Sequence, residues 1–328
     1  MNILIIKLGA TGDVVRTTPL LRRLSGHVTW ITTTKNIELL QGIAKDLNCV
    51  TWEERGSVHG QTYDLVINLE DDLETAQLLR TVRFHQLFGA YADSNDRLRY
   101  TDNARAWFDL SLISAYGREK ADYLKLQNRQ TYQELVFRGL GMTFAGDRYL
   151  LPKPVKTELF GDIAISSAAG PVWPMKNWAY YEQLKEGLEA RGFVVNFLPK
   201  RDSLREHLAD IQGHRCVVSG DSLPMHLALG SLVRCVSLFT CTSPWEIFDY
   251  GLQTKLVSPL LEEFFYKRGF DPRATTAINL DEVSDAVIAE YRKDVQTRIE
   301  SALPSVGQST FIGTAPDVRS VVQAEVSE

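Results

Sequence analysis

Apolar residues in this chain fall into short runs that alternate with stretches of helical period. The runs at residues 2–6, 27–32 and 65–69 are largely apolar, as is typical of strands that are covered on both faces. Residues 14–24 and 37–47 carry apolar positions at helical spacing. Strands that alternate with helices in this way predict an α/β fold with a parallel, doubly wound sheet.

A second alternation follows a proline-punctuated segment at residues 149–154. The pattern is blurred over residues 84–129, and a predicted helix over residues 132–140 leads into this segment. Beyond it, the pattern predicts strands at 163–166, 193–198, 216–219 and 235–239, and helices at 178–191, 204–211, 223–229 and 283–295. The extended, proline-containing segment is therefore the predicted domain boundary.

The length of 328 residues also favours two domains over a single core. We predict an N-terminal Rossmann-like domain over residues 1–152 and a C-terminal Rossmann-like domain over residues 153–295. From residue 296 the composition becomes polar and rich in small residues, without a clear period. Residues 296–328 are therefore expected to form a weakly structured tail.

Composition and charge exclude several classes of protein. The formal net charge of −5 is spread along the chain, so we expect no nucleic-acid partner. The four cysteines match no zinc-binding spacing, and we expect no bound metal. The N-terminus lacks the features of a signal peptide, and no apolar run approaches the roughly 18 residues of a membrane span. These observations predict a cytoplasmic protein.

The first segment that carries chemistry is the loop KLGATGD after the first predicted strand. Such a loop lies at the carboxyl edge of the sheet, where ligands of α/β folds bind, and Gly9 and Gly12 allow the chain to bend close to a ligand. Asp13 then has two interpretations: it accepts a proton from a hydroxyl group, or it caps the helix that follows. Thr11 and Arg16 lie beside it in sequence and are further candidates on the same loop.

This glycine-containing loop also resembles the turns that bind nicotinamide dinucleotides. Those folds carry an acidic residue at the end of the second strand, where it binds the ribose. Here the second strand runs into Thr32, Thr33, Thr34 and Lys35, so no acid stands there. An oxidoreductase function is therefore disfavoured.

Two later strand–loop–helix junctions suit a phosphate group. In the first, Ser166 and Ser167 end a strand, and Lys176 precedes a helix and supplies a positive charge. In the second, Asp221 and Ser222 precede a helix whose first-turn amides can bind a diphosphate. An ordinary loop with a solvated lysine, and a helix cap, are the alternatives at these two places.

His226 lies four residues beyond Ser222, on the same face of that predicted helix. It is either part of the phosphate site or a histidine buried in the core. In the next loop, Thr242 and Ser243 can hydrogen-bond a phosphate or a sugar, although turn formation explains them equally well. The sequence assigns no role to Cys241 or Glu246.

Three motifs together resemble glycosyltransferase family nine, which includes the heptosyltransferases of lipopolysaccharide core assembly. They are KLGATGDVVRTTPLL, SGDSLPMHLA and LFTCTSPWE, in an order and spacing that agree with the family over roughly residues 1–290. The resemblance implies a GT-B fold, with two Rossmann-like domains facing each other across a cleft. It also implies an inverting sugar transfer without a catalytic metal or other cofactor.

The resemblance assigns roles to individual residues. Asp13 falls on the family's general base, and Lys176 falls on its phosphate-binding lysine. Asp221, Ser222 and His226 fall on its D-[ST]-G-x-x-H segment, although Leu223 and Pro224 replace the usual glycine-containing pair. The remaining candidates, Ser166 and Ser167 on the donor side, are expected to bind the diphosphate.

The resemblance also implies partners. We expect a nucleotide-sugar donor, with ADP-heptose as the family's common case, and a glycan or lipid-linked acceptor at the inner face of the cytoplasmic membrane. A GT-B epimerase or phosphorylase, and a nucleotide-sugar binding protein without turnover, remain alternatives. The acceptor, the sugar, the nucleobase and the oligomeric state are not legible in the sequence.

Overall fold

The computed structural model describes residues 1–168, 170 and 172–302. Met1–Asp294 folds as one compact unit. Within it lie two β-sheets, one for each of the two alternations that the sequence predicted. The α/β fold is therefore confirmed, while the boundary at residues 152 and 153 stays a prediction.

The first sheet has six strands in the order β3-β2-β1-β4-β5-β6. The strands are β1 (Asn2–Ile6), β2 (His27–Thr32), β3 (Leu47–Thr51), β4 (Thr62–Asn68), β5 (Arg83–Ala92) and β6 (Leu98–Tyr100). All neighbours are parallel except β5 and β6, which pair antiparallel. The strand order reverses direction at β1 and β4, and ligands of such sheets bind at the carboxyl ends on either side of that point.

The helices of the first half cover both faces of this sheet or extend beyond its last strand. They are α1 (Thr11–Thr17), α2 (Thr34–Leu40), α3 (Leu73–Leu78), α4 (Arg105–Phe108), α5 (Gly117–Gln127) and α6 (Tyr132–Gly139). The apolar core under them includes Ile3, Ile5, Trp30 and Phe88, which are fully buried. The long run of irregular chain around α4 and α5 explains why residues 84–129 show no clear period.

The second sheet has five parallel strands in the order β11-β10-β9-β7-β8. The strands are β7 (Ile163–Ser166), β8 (Val195–Phe197), β9 (Cys216–Gly220), β10 (Arg234–Phe239) and β11 (Gln253–Val257). The helices are α7 (Tyr181–Glu189), α8 (Leu204–Gln212), α9 (Leu223–Gly230), α10 (Leu261–Phe264), α11 (Pro272–Thr276) and α12 (Leu280–Ala302). This order reverses at β7 and β9, so the loops after these two strands lie at the second ligand-binding edge.

Several predicted boundaries differ from the structure. The helix predicted over residues 14–24 begins earlier, at Thr11, and gives way to a 3₁₀ turn at Thr18–Arg22. Pro19 accounts for the change, because proline has no N–H to donate within an α-helix. The last helix continues past residue 296, where the tail was predicted to begin, and the rest of that tail lies outside the described residues.

Candidate functional site

A cavity of about 450 Å³ lies among the loops at the carboxyl edges of both sheets. This volume is within the usual range for small-molecule sites. Its lining includes these predicted residues: Thr11, Gly12, Asp13, Arg16, Lys176, Asp221, Ser222 and His226. The two alternations of the sequence thus bring their polar loops to one place.

The loop after β1 is fastened to the loop after β4 by a buried ion pair. Lys7 Nζ lies 2.9 Å from Glu70 Oε1, and the same carboxylate accepts hydrogen bonds from the backbone N–H groups of Leu8 and Gly9. Gly9 does not itself line the cavity. Its backbone instead holds the loop in place, so that Thr11 can begin α1 at the cavity wall.

Asp13 lies in the first turn of α1 and does not cap it. Ala10 is the N-cap residue, and no side chain caps this helix. The capping interpretation of Asp13 is therefore wrong. Its carboxylate pairs with the Arg16 guanidinium at 2.9 Å and keeps about 32% of its side chain exposed. The side chain is thus held in orientation and remains reachable from the cavity.

The charges around Asp13 keep it ionised. Burial acts to raise the pKa of its carboxyl, but the charges of Arg16 and Lys7 act in the opposite direction, and the pKa lies below its ordinary value. An ionised carboxylate at neutral pH can accept a proton. The site therefore contains a candidate base in its active protonation state.

Arg16 is itself fixed by three neighbours. Besides the pair with Asp13, its guanidinium lies 3.7 Å from Glu246 and stacks over the ring of Tyr132, with 4.1 Å from its central carbon to the ring centroid. Burial acts against the charge, but Asp13 and Glu246 raise the pKa of Arg16 further above its ordinary value. Arg16 is therefore a permanent, oriented cation beside the candidate base.

Lys176 and Asp221 form the matching pair in the second half. Lys176 Nζ donates to the Asp221 backbone oxygen at 2.7 Å and to its carboxylate at 3.0 Å. Burial acts to raise the pKa of Asp221, but the charge and the hydrogen bond of Lys176 act in the opposite direction, and the pKa lies well below its usual range. Lys176, which the sequence predicts to bind a phosphate, is therefore already paired with this carboxylate.

The N-terminus of α9 opens on the cavity with Ser222 as its N-cap residue. The Ser222 hydroxyl makes no capping hydrogen bond and donates to the Gly220 backbone oxygen instead. Pro224 occupies the first turn and has no N–H, so the turn offers one amide fewer than expected from the sequence. The helix dipole still favours an anion at this end.

His226 packs directly against the loop that carries Asp13. A Cβ atom on Gly12 would lie 2.8 Å from the His226 ring, which explains the absence of a side chain at Gly12. The His226 Nδ1 atom lies 3.4 Å from the Tyr149 hydroxyl. Burial lowers the pKa of His226 to about 4, and Arg16 adds to this effect, so the ring is neutral at pH 7.

Besides Gly9, two more predicted residues lie away from the cavity lining. Ser166 ends β7 in a half-buried position, and Ser167 is exposed. Sequence reasoning also assigned no role to four other cavity-lining residues: Lys125, Trp173, Glu246 and Tyr266. Lys125 comes from α5, in the region where the sequence pattern is blurred, so only the fold could reveal it.

The described residues contain neither a cluster of metal-binding side chains nor a membrane-spanning helix. Within residues 1–168, 170 and 172–302, no group of three or more His, Cys, Asp or Glu side chains could hold a metal ion. In the same part of the chain, no helix combines the length and the apolar character that crossing a membrane requires. Metal independence and location both stay predictions.

Comparisons with known proteins agree with this fold. Residues 172–263 match the model of glycosyltransferase family 9 (heptosyltransferase). No curated protein is similar enough in sequence to count as a relative. Several solved structures are similar in fold, among them the following three.

Escherichia coli heptosyltransferase WaaC with ADP superimposes with a TM-score of 0.60 at 16% identity, covering 88% of this chain and 100% of that chain. A family 9 glycosyl transferase from Veillonella parvula superimposes with a TM-score of 0.58 at 16% sequence identity, covering 89% of this chain and 97% of that chain. E. coli ADP-heptose lipopolysaccharide heptosyltransferase II superimposes with a TM-score of 0.54 at 16% sequence identity, covering 90% of this chain and 100% of that chain. The GT-B fold is therefore confirmed. Together with the family match, it also confirms the resemblance of this chain to glycosyltransferase family 9, the heptosyltransferase family.

Proposed function

We propose that this protein is an inverting glycosyltransferase that moves a sugar from a nucleoside-diphosphate donor to a hydroxyl acceptor. The observation that carries the proposal is the cavity itself. It brings an ionised, partly exposed carboxylate, Asp13, to face the N-terminus of α9 and the ammonium of Lys176. A proton acceptor opposite an anion-binding wall is the arrangement that a direct displacement of a diphosphate requires.

In the proposed mechanism, Asp13 takes the proton of the acceptor hydroxyl as that oxygen attacks the anomeric carbon. The bond from the anomeric carbon to the diphosphate breaks at the same time, and the configuration inverts. Arg16 keeps the carboxylate oriented through its 2.9 Å ion pair. General base catalysis of this kind contributes roughly 100- to 10,000-fold to a rate.

The departing diphosphate gains negative charge, which the second half of the site can neutralise. Lys176 and the first turn of α9 are the candidates for this role, and Ser222 lies between them at the cavity wall. A preorganised donor of this kind is worth about 2.7–4 kcal/mol in a transition state. Because Lys176 already pairs with Asp221, it would share its charge between the carboxylate and the phosphate.

The donor is proposed to be ADP-heptose, because solved structures of similar fold include WaaC with ADP and TibC in complex with ADP-D-beta-D-heptose. The N-terminal half would hold the acceptor and the C-terminal half the donor. A glycan or lipid-linked acceptor reached from the cytoplasm, without a metal, completes the proposal.

The test is a panel of nucleotide sugars, led by ADP-heptose, measured by thermal shift and then by transfer to candidate acceptors. A true donor at about 100 times its dissociation constant should stabilise the protein by about 2.7 kcal/mol. The anomeric configuration of the product is read by NMR. A panel that leaves the melting temperature unchanged, or a product that retains the donor's configuration, would overturn the proposal.

A further inference from the structure

Glu246 is a buried carboxylate in the cavity wall to which the proposed mechanism gives no role. It belongs to the loop after β10, and its residue surface is about 9% exposed. Its carboxylate lies 3.7 Å from the Arg16 guanidinium and 3.4 Å from Lys125 Nζ. It therefore stands between two cations that come from the other half of the chain.

One oxygen of this carboxylate has no hydrogen bond. Glu246 Oε1 is buried and accepts no hydrogen bond from the described residues, although it is the oxygen that forms the 3.4 Å ion pair with Lys125. The hydroxyl groups of Thr242 and Ser243 on the same loop are also buried, line the cavity and make no hydrogen bond with the described residues. Since buried polar atoms almost always have hydrogen-bond partners, these oxygens on one cavity wall indicate a ligand that supplies hydrogen bonds.

The charges on this side of the cavity indicate which chemical group the ligand presents to it. A phosphate oxygen would be repelled by the Glu246 carboxylate, and the nearby cations already have carboxylate counter-charges: Arg16 has Asp13 and Glu246, and Lys125 has Glu246. Hydroxyl groups, in contrast, donate to a carboxylate in strong, charge-assisted hydrogen bonds. A neutral polyol fits this wall, and the diphosphate fits the wall of Lys176 and α9.

We propose that Glu246 and Ser243 form a subsite that binds the hydroxyl groups of the donor's sugar, so that Glu246 determines which sugar is accepted. The inference rests on the proposed function and deepens it. The sugar lies between this subsite and Asp13, while its diphosphate extends toward Lys176. A sugar that lacks a hydroxyl at the contacted position leaves Glu246 Oε1 without a hydrogen bond and is rejected.

The experiment compares ADP with ADP-heptose by isothermal titration calorimetry, in the wild-type protein and in Glu246→Leu. The substitution removes both oxygens and leaves an apolar side chain that is one atom shorter. We expect the dissociation constant for ADP-heptose to rise at least about tenfold, while that for ADP changes less than about threefold, because ADP has no sugar to contact the subsite. An equal loss of both ligands, or no loss of either, would overturn the inference.

A matched control breaks the same ion pair from its other side. Lys125→Met leaves the carboxylate in place, and we expect both dissociation constants to stay within about threefold of wild type. A selective loss of ADP-heptose in this variant would show that the ion pair, and not the carboxylate, is responsible, and would also overturn the inference.

A second variant covers the case in which Glu246→Leu fails to fold. Ser243→Ala removes one unpartnered hydroxyl and should weaken ADP-heptose about fivefold without an effect on ADP. Equal binding by wild type and Ser243→Ala would then count against the subsite. A wild-type protein that binds neither ADP nor ADP-heptose would overturn the proposed function, and this inference with it.

Discussion

Asp13 and Asp221 occupy corresponding places in the two halves of the molecule, but they are held in different ways. Each follows a strand at the point where the strand order of its sheet reverses, and each lines the same cavity. Asp13 makes one ion pair and keeps about 32% of its side chain exposed. Asp221 is about 17% exposed, and Lys176 donates to both its backbone and its side chain.

This difference separates two tasks that one residue type can perform. A base must be ionised and reachable, which describes Asp13. A residue whose backbone and side chain are both bound by one lysine fixes the distance between two loops, which describes Asp221. Both carboxyls have lowered pKa values although burial opposes this, so the pKa alone does not distinguish them. The exposed fraction of the side chain and the number of its hydrogen bonds distinguish the two residues.

The largest effect on stability is expected from breaking the pair in the second half. Asp221→Asn leaves the Lys176 ammonium, which is about 14% exposed, without its counter-charge, so the free energy of unfolding should fall by about 1–3 kcal/mol. Chemical denaturation measures this. A double-mutant cycle with Lys176→Met should give a coupling energy of similar size, and strictly additive effects would contradict the fixed pair.

A smaller loss of stability is expected from a substitution at Gly12, where the two halves of the chain are in contact. Gly12→Ala places a Cβ atom 2.8 Å from the His226 ring, and such overpacking costs about 1–3 kcal/mol, partly offset by a gain of up to about 1 kcal/mol in helix propensity. We expect a net loss of about 1 kcal/mol in chemical denaturation.

The control for this variant is another helical glycine, Gly187, where a Cβ atom meets nothing within 4 Å. Gly187→Ala should stabilise the protein by up to about 1 kcal/mol. If Gly12→Ala is as stable as Gly187→Ala, the contact between Gly12 and His226 is not tight.

An effect of similar size concerns pH. Burial lowers the pKa of His226 to about 4 in the folded protein, whereas a histidine in the unfolded chain titrates near 6.5. Below about pH 6.5 the unfolded state therefore binds more protons, and stability decreases as the pH falls toward 4. At pH 5.5 the loss from this residue should be about 1 kcal/mol.

Melting temperatures of wild type and His226→Gln between pH 7 and pH 5 measure this effect. Stability should decline less steeply in the variant. His207 and His214, whose pKa values burial also lowers, are present in both proteins and cancel in the comparison. Parallel declines would show that His226 is not buried as a neutral ring.

The fold could largely be predicted because its strands are apolar runs buried on both faces. The strands at Asn2–Ile6, His27–Thr32 and Ile163–Ser166 were predicted with their observed bounds. β5 and β6 were not predicted. The first four residues of β5, up to Gln86, are exposed, so this part of the strand does not form an apolar run. Tertiary pairing with β4, and not local preference, determines that segment.

The site could be predicted in part, because glycine-containing loops at strand ends are local signals. Asp13, Lys176, Asp221 and His226 were chosen in this way and line one cavity. Glu246 and Lys125 were not chosen. They form an ion pair with each other across about 120 positions of sequence, and no local sequence pattern shows such a contact. Their catalytic or binding roles stay proposals until they are tested.

The most direct test of the account is the single-turnover rate of sugar transfer in Asp13→Asn, with donor binding measured on the same sample. The amide keeps the shape of the side chain and cannot accept the proton. We expect a rate about 100- to 10,000-fold below wild type, with the dissociation constant for ADP-heptose within about threefold. A near-normal transfer rate in Asp13→Asn would contradict the assignment of Asp13 as the base.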